Sequence, residues 1–187
     1  MNNKKYFAKA ILILFLCILI NCAGKQIAKI LNLPLWLDSF GTVACAFFLG
    51  PLWGALAGFS VNLIYGIFDN VSLVYGLTSI AVGITVGVLS KKNRLNSLFS
   101  ASSIAVTITF VSIIISVPLN CIFYNGMTGN LWGDGVIDFL REQNLPEFIC
   151  VVAGEFYIDF LDKILTLLCF YFALNLLRAK KTFSGGR

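Results

Sequence analysis

The sequence predicts an all-α integral membrane protein, a six-transmembrane-helix bundle with the N-terminus and C-terminus both cytoplasmic. Three observations carry that reading. Hydrophobic residues make up 58% of the 187 and the mean hydropathy is +0.87. Charged residues make up 12%, about half the soluble-domain norm of about 25%. The charges are also sorted by sign along the chain, as a membrane topology sorts them.

Helix one is expected over about Tyr6 to Ala28, with Lys4, Lys5 and Lys9 ahead of its apolar run from Ile11 to Ile20. A basic start and an apolar run imitate a signal peptide. The residue before Cys22 is Asn21, where a lipoprotein cleavage site needs a small residue, so the segment reads as a retained helix. Helix two, about Ser39 to Leu49, is short against the roughly 20 residues of a span. Helix three follows the Gly50-Pro51 turn from Leu52 to Phe68, with Gly50, Gly54 and Gly58 along one side. Small residues four apart let helices approach closely in lipid. Helix four is expected over Val71 to Leu89, helix five over Ser97 to Tyr124 and helix six over Glu147 to Leu177. The outer loop 125–146, rich in Asn-Gly and Gly-Asp turn signals, is a candidate lid, with a turn or two of helix near Val136 to Arg141. The whole of 1–187 reads as a single membrane domain.

With the N-terminus inside, Lys4, Lys5, Lys9, Lys91, Lys92, Arg94, Arg178, Lys180, Lys181 and Arg187 fall on cytoplasmic ends. Only Lys25, Lys29 and Arg141 fall outside. Every acid falls outside or in helix six. The net charge of +5 therefore reads as topology, with the lipid bilayer as partner and no nucleic acid. Cys17, Cys22, Cys45, Cys121, Cys150 and Cys169 form no CxxC pair and the chain lacks histidine. That argues against a zinc site and removes the Ser-His triad and the HExxH helix. No GxxxxGK[ST] loop is present, so ATP hydrolysis would need separate subunits.

Glu155, Asp159 and Asp162 share one face of helix six, and intramembrane acids normally face a bundle interior or a wet cavity. They read either as an ion-pair ladder with Lys163, or as Glu155 and Asp159 offered to a polar or cationic ligand above an Asp162–Lys163 pair. Asn62, Asn120 and Asn125 suit a heterocycle or a neighbouring backbone equally, and Asn21 and Lys25 share a face of helix one. Asp38 is a candidate ligand contact or a cap for helix two. Trp36 and Trp132 fit an outer aromatic belt or a ligand-stacking role, and Trp53 an inner belt.

Leu37-Asp-Ser-Phe-Gly-Thr42, then Leu49-Gly-Pro-Leu-Trp-Gly-Ala-Leu-Ala-Gly58 and Asn62, in a small six-helix chain, resemble the substrate-binding S components of energy-coupling factor (ECF) vitamin transporters. The likeness is strongest over 35–66 and is one of layout elsewhere. It implies a non-enzymatic subunit in the bacterial plasma membrane that captures a vitamin or small cofactor precursor from outside. The partners it implies are a membrane scaffold (T) subunit and two ATPase subunits. The family site, in the outer half, maps onto Trp36, Asp38, Tyr75, Asn125, Trp132, Glu155 and Asp159, with no metal and no bound cofactor. The family's AxxxA docking pattern on helix one is absent, since Ala8 and Ala10 stand two apart. The metal-binding branch's N-terminal histidine is missing too. A membrane sensor or adaptor without transport is the alternative. An intramembrane enzyme using the helix-six acids is a third reading.

Overall fold

The computed structural model describes residues 3–93 and 95–184; Arg94 and Arg187, two cations of the charge argument, lie outside the described residues. Among these residues the chain is helical and has no strand. The elements are α1 (Asn3–Ile30), α2 (Phe40–Leu49), α3 (Pro51–Gly66), α4 (Asn70–Val74), α5 (Gly76–Asn93), α6 (Leu98–Phe123), α7 (Leu131–Glu142) and α8 (Glu147–Ser184). Among the described residues, four stretches are long and apolar enough to cross a membrane: Lys4–Ile30, Ser72–Ser90, Leu98–Phe123 and Glu147–Ala179.

The expected helices two and three are present as α2 and α3, but their 10 and 16 residues fall short of a span. The expected fourth helix is broken at Tyr75 into α4 and α5. The outer loop holds more helix than its turn signals suggested, because α7 runs for 12 residues. Asn130 caps it, its side chain accepting from Trp132 N–H at 3.0 Å, and this satisfies an otherwise orphaned donor of the first turn.

Local chemistry explains the ends. Asn32 adopts φ +48°, and Leu33 N–H donates to Ala28 O while Asn32 N–H donates to Lys29 O. This left-handed motif satisfies the last carbonyls of α1. Gly50 takes φ 108° between α2 and α3, a backbone that glycine adopts without strain. Pro51 then starts α3, where its missing N–H costs nothing. Ser97 caps α6 by accepting from Ser100 N–H at 3.1 Å.

The glycine stripe is internal. A Cβ on Gly54 would run into Ala46 of α2 and come within 3.0 Å of Gly83 O of α5, and one on Gly58 would meet Ser79 and Thr42. Gly83 and Gly87 answer from α5, against Gly54 and Pro51. The α2–α3 hairpin therefore sits backbone-to-backbone on α5, and α8 packs on α6 and α7.

The two ends of the bundle differ in chemistry. At the end carrying the chain termini, Phe170, Leu167, Ile104, Ile108, Val43 and Val86 form the main apolar core. There the Phe7 and Trp53 rings meet at 6.2 Å, and Arg178 donates to Leu95 O at 3.3 Å. Toward the opposite end the interior becomes polar, with Asn62, Ser112, Ser116, Asn120, Glu155, Asp159, Asp162 and Lys163 all buried. Of the cysteines, Cys17, Cys45 and Cys150 are buried as expected of small apolar residues, whereas Cys121 and Cys169 face outward. Much of the outer surface is apolar, and α1 is the most peripheral of the long helices, with 17% of its apolar window buried against 39% for α6.

Candidate functional site

The polar end of the bundle encloses a cavity of about 790 Å³, within the range of about 300–1,000 Å³ usual for small-molecule sites. The segment from Leu33 to Ser39, the α3–α4 turn and the loop before α7 ring its mouth; α5, α6 and α8 form its floor.

The floor is organised from α8. Lys163 Nζ donates to Asp162 Oδ2 at 2.8 Å and to Ser39 Oγ at 3.1 Å, and lies 3.5 Å from Asp159 Oδ1. Asp162 is buried beside it and accepts from Leu37 N–H at 2.7 Å. It thereby ties α8 to the segment before α2. Asp159 Oδ2 is buried and has no hydrogen-bond partner. One turn earlier, Glu155 Oε2 accepts from Asn120 Nδ2 at 3.0 Å. Asn120 Oδ1 accepts from the Tyr75 hydroxyl, so a relay runs from the α4–α5 break through α6 to α8. The Tyr75 ring stacks on Tyr124, with centroids 6.0 Å apart. Hydroxyl groups line the wall between: Thr78 Oγ1 and Ser116 Oγ are 3.1 Å apart, and Asn62 Nδ2 donates to Ser79 Oγ at 2.7 Å.

The mouth is more balanced in charge. Lys25 Nζ lies 3.9 Å from Asp38 Oδ2, donates to Ser72 Oγ at 3.3 Å, and sits 4.8 Å from the Tyr65 ring centroid. Cation–π attraction adds to the ion pair there. On the far side, Thr128 N–H and Oγ1 both donate to Asp134 Oδ1, at 2.6 and 2.8 Å. Asn130 Nδ2 donates to Leu33 O at 3.2 Å, and Trp132 Nε1 donates to Asn32 O at 2.7 Å. Behind this loop Arg141 pairs with Glu147 and Asp138 and donates to Asn125 O. The neighbouring Glu147 carboxylate raises the Arg141 pKa further above its ordinary value.

Of the residues expected from sequence, Trp36, Asp38, Tyr75, Glu155 and Asp159 line this cavity. Two do not. Asn125 takes φ +51° in the turn after α6, an Asn-tolerated left-handed conformation, and offers its carbonyl to Arg141. Trp132 turns away from the cavity onto a shallow apolar surface with Phe139 and Tyr157. Asp38 does not cap α2, since Ser39 holds that position without a side-chain cap bond. Asn21 is a positioning residue for α2, accepting from Gly41 N–H at 2.6 Å and donating to Thr42 Oγ1 at 2.9 Å.

Residues that the sequence reading passed over include Ser112 and Ser116, which line the cavity together with Thr128 and Asn130. A signal for the serines exists: with Asn120 they recur every four residues along the otherwise apolar second half of α6, from Phe110 to Phe123, the spacing of one helical face. Among the described residues no group of three or more His, Cys, Asp or Glu is placed to hold a metal ion. The arrangement suits non-covalent capture of a small polar molecule, with a charged floor, hydroxyl and amide walls, and a tied loop above. In comparisons with known proteins, the chain matches no family model, no curated protein and no solved structure.

Proposed function

We propose that this chain is the substrate-capture (S) subunit of an ECF-type transporter, importing a vitamin or small cofactor precursor across a bacterial plasma membrane. The observation that carries the reading is the cavity of about 790 Å³ with buried carboxylates on its floor. Polar groups inside a membrane bundle are expensive and mark ligand or ion sites by default. Six passes are formed by α1, α2, α3, α4 with α5, α6 and α8, with both termini cytoplasmic. Lys4, Lys5, Lys9 and Arg178 then lie inside, and Asp38, Asp69, Asp134 and Asp138 lie on the outer side with the cavity mouth, the sign order of the positive-inside rule.

The short α2 fits this topology. Ten residues rise about 15 Å, and the irregular segment before it makes up depth by tucking between α1 and α8. A Cβ on Gly24 would collide with the Leu37 carbonyl, and Asp162 holds Leu37 N–H. Irregular backbone is tolerated at membrane depth where it is buried in protein or lines a cavity. The glycine stripe is used inside the bundle, which leaves the exposed apolar face of α1, with Phe7, Leu12, Phe15 and Leu19, as the surface offered to a scaffold subunit. ATP hydrolysis belongs to separate subunits.

The test is purification from native membranes, with mass spectrometry of small molecules released on denaturation. Capture predicts one stoichiometric compound and loss of its uptake when the gene is deleted. A compound bound with uptake intact would instead make the chain a sensor or adaptor.

A further inference from the structure

Resting on the capture reading, we propose that the cavity selects an organic cation: a small molecule whose ammonium, amidinium or quaternary nitrogen sits between Glu155 and Asp159. The floor holds Glu155, Asp159 and Asp162 against a single ammonium, Lys163, and all four are buried. Lys163 is already committed to Asp162, Ser39 and Asp159. Its shortest contact is with Asp162, which also anchors Leu37 N–H and does not line the cavity. Asp159 lines the cavity with Oδ2 unpartnered, and Glu155 lines it with a neutral amide as its hydrogen-bond partner. Three buried carboxylates share one ammonium, so the surplus must be met by a proton or by a cation; a cationic ligand meets it while gaining a charged contact, which is the basis of the assignment.

An anion finds no free cation on the floor. At the mouth Lys25 is likewise engaged, by Asp38, Ser72 and the Tyr65 ring; Lys29 also lines the cavity but is exposed to solvent, so an anion held there would not meet the carboxylates of the floor. A neutral ligand would leave the excess of carboxylates as it is. The remaining wall of Thr78, Ser79 and Ser116 hydroxyls and the Asn62 amide would hydrogen-bond the body of the cation.

The experiment is calorimetric titration of the purified full chain in lipid nanodiscs, beside identification of any co-purified compound. The probes are matched in shape but not in charge: pyridoxamine against pyridoxine, and choline against dimethylbutanol. Thiamine is added as a further cation, and biotin and pantothenate as anions. The expected result is that the co-purified compound, or the probe that binds, is cationic at neutral pH and binds at least tenfold more tightly than its neutral match. Glu155→Gln and Asp159→Asn should each weaken it about ten- to a hundredfold, the scale of a lost charged hydrogen bond. The matched pairs on the unmodified protein decide the matter even where a variant fails to fold. A neutral or anionic compound that co-purifies or binds equally well to both variants overturns the cation assignment and leaves capture standing. So does a cation whose affinity is unchanged in folded variants. No co-purified compound and no binding by any probe overturns capture, and this inference with it.

Discussion

Asp162 has no room to be exchanged. One oxygen accepts from the backbone of Leu37 and the other from Lys163, so removing the carboxylate takes the nearest counter-charge from a buried ammonium, leaving it Asp159 and Ser39, and frees a strained turn. Leu37 sits at φ +52°, which costs a non-glycine residue on the order of 1–3 kcal/mol. Asp162→Ala should therefore destabilise the protein by about 3–5 kcal/mol, the scale for breaking a buried pair from one side, read as a drop in Tm in detergent. Adding Lys163→Met to that variant should recover part of the loss, because the buried ammonium goes with it. A double variant as unstable as the sum of the two singles would show that the pair acts separately. Spacing alone made the shared acid face legible. It did not reveal Asp162 as the loop's anchor, because helical spacing carries no record of a loop distant in sequence. Here the length of the lysine side chain and a partner 125 residues away decide the outcome.

Among the elements, the α2–α3 hairpin and α5 are matched by glycine at both surfaces, so any side chain larger than hydrogen must push backbone apart. Gly83→Val should cost about 1–3 kcal/mol or more, whereas Gly135→Val, whose Cβ would meet nothing within 4 Å, should leave stability within about 0.5 kcal/mol of the parent. Equal effects would contradict the close approach. The loop and α7 close the cavity mouth through two bonds to the carbonyls of Asn32 and Leu33. Trp132→Phe removes one of them at a cost of about 1 kcal/mol. It should speed ligand dissociation severalfold and raise amide hydrogen exchange over 125–130, with Tm lowered by about 2–4 °C at most. The long helices were legible because their apolar runs end at charges or caps. The break at Tyr75 was not, since nothing in Val71-Ser-Leu-Val-Tyr-Gly76 forbids a continuous helix; the hydroxyl that Tyr75 sends to Asn120 is a tertiary matter. For the same reason Trp132 looked like a cavity residue, although its indole is spent on a neighbouring loop.

At the scale of the molecule, the interior is mainly apolar at one end and the other end carries the buried charged groups, so orientation in the bilayer is the quantity to check first. In a background lacking native cysteines, Asp138→Cys should react with a membrane-impermeant maleimide applied from outside intact cells, and Tyr6→Cys only after permeabilisation. The reverse pattern would invert the topology and with it the direction of capture. A further consequence follows from where the pieces lie along the chain. Synthesis runs from the N-terminus, so Leu37 enters the membrane long before Asp162 has been made. Until α8 inserts, the turn at Leu37 has no anchor and the cavity has no floor. The pocket is thus completed in a late step of biogenesis, and a ribosome-bound intermediate ending near Pro146 should leave 33–39 open to protease while the hairpin at Gly50 is already protected.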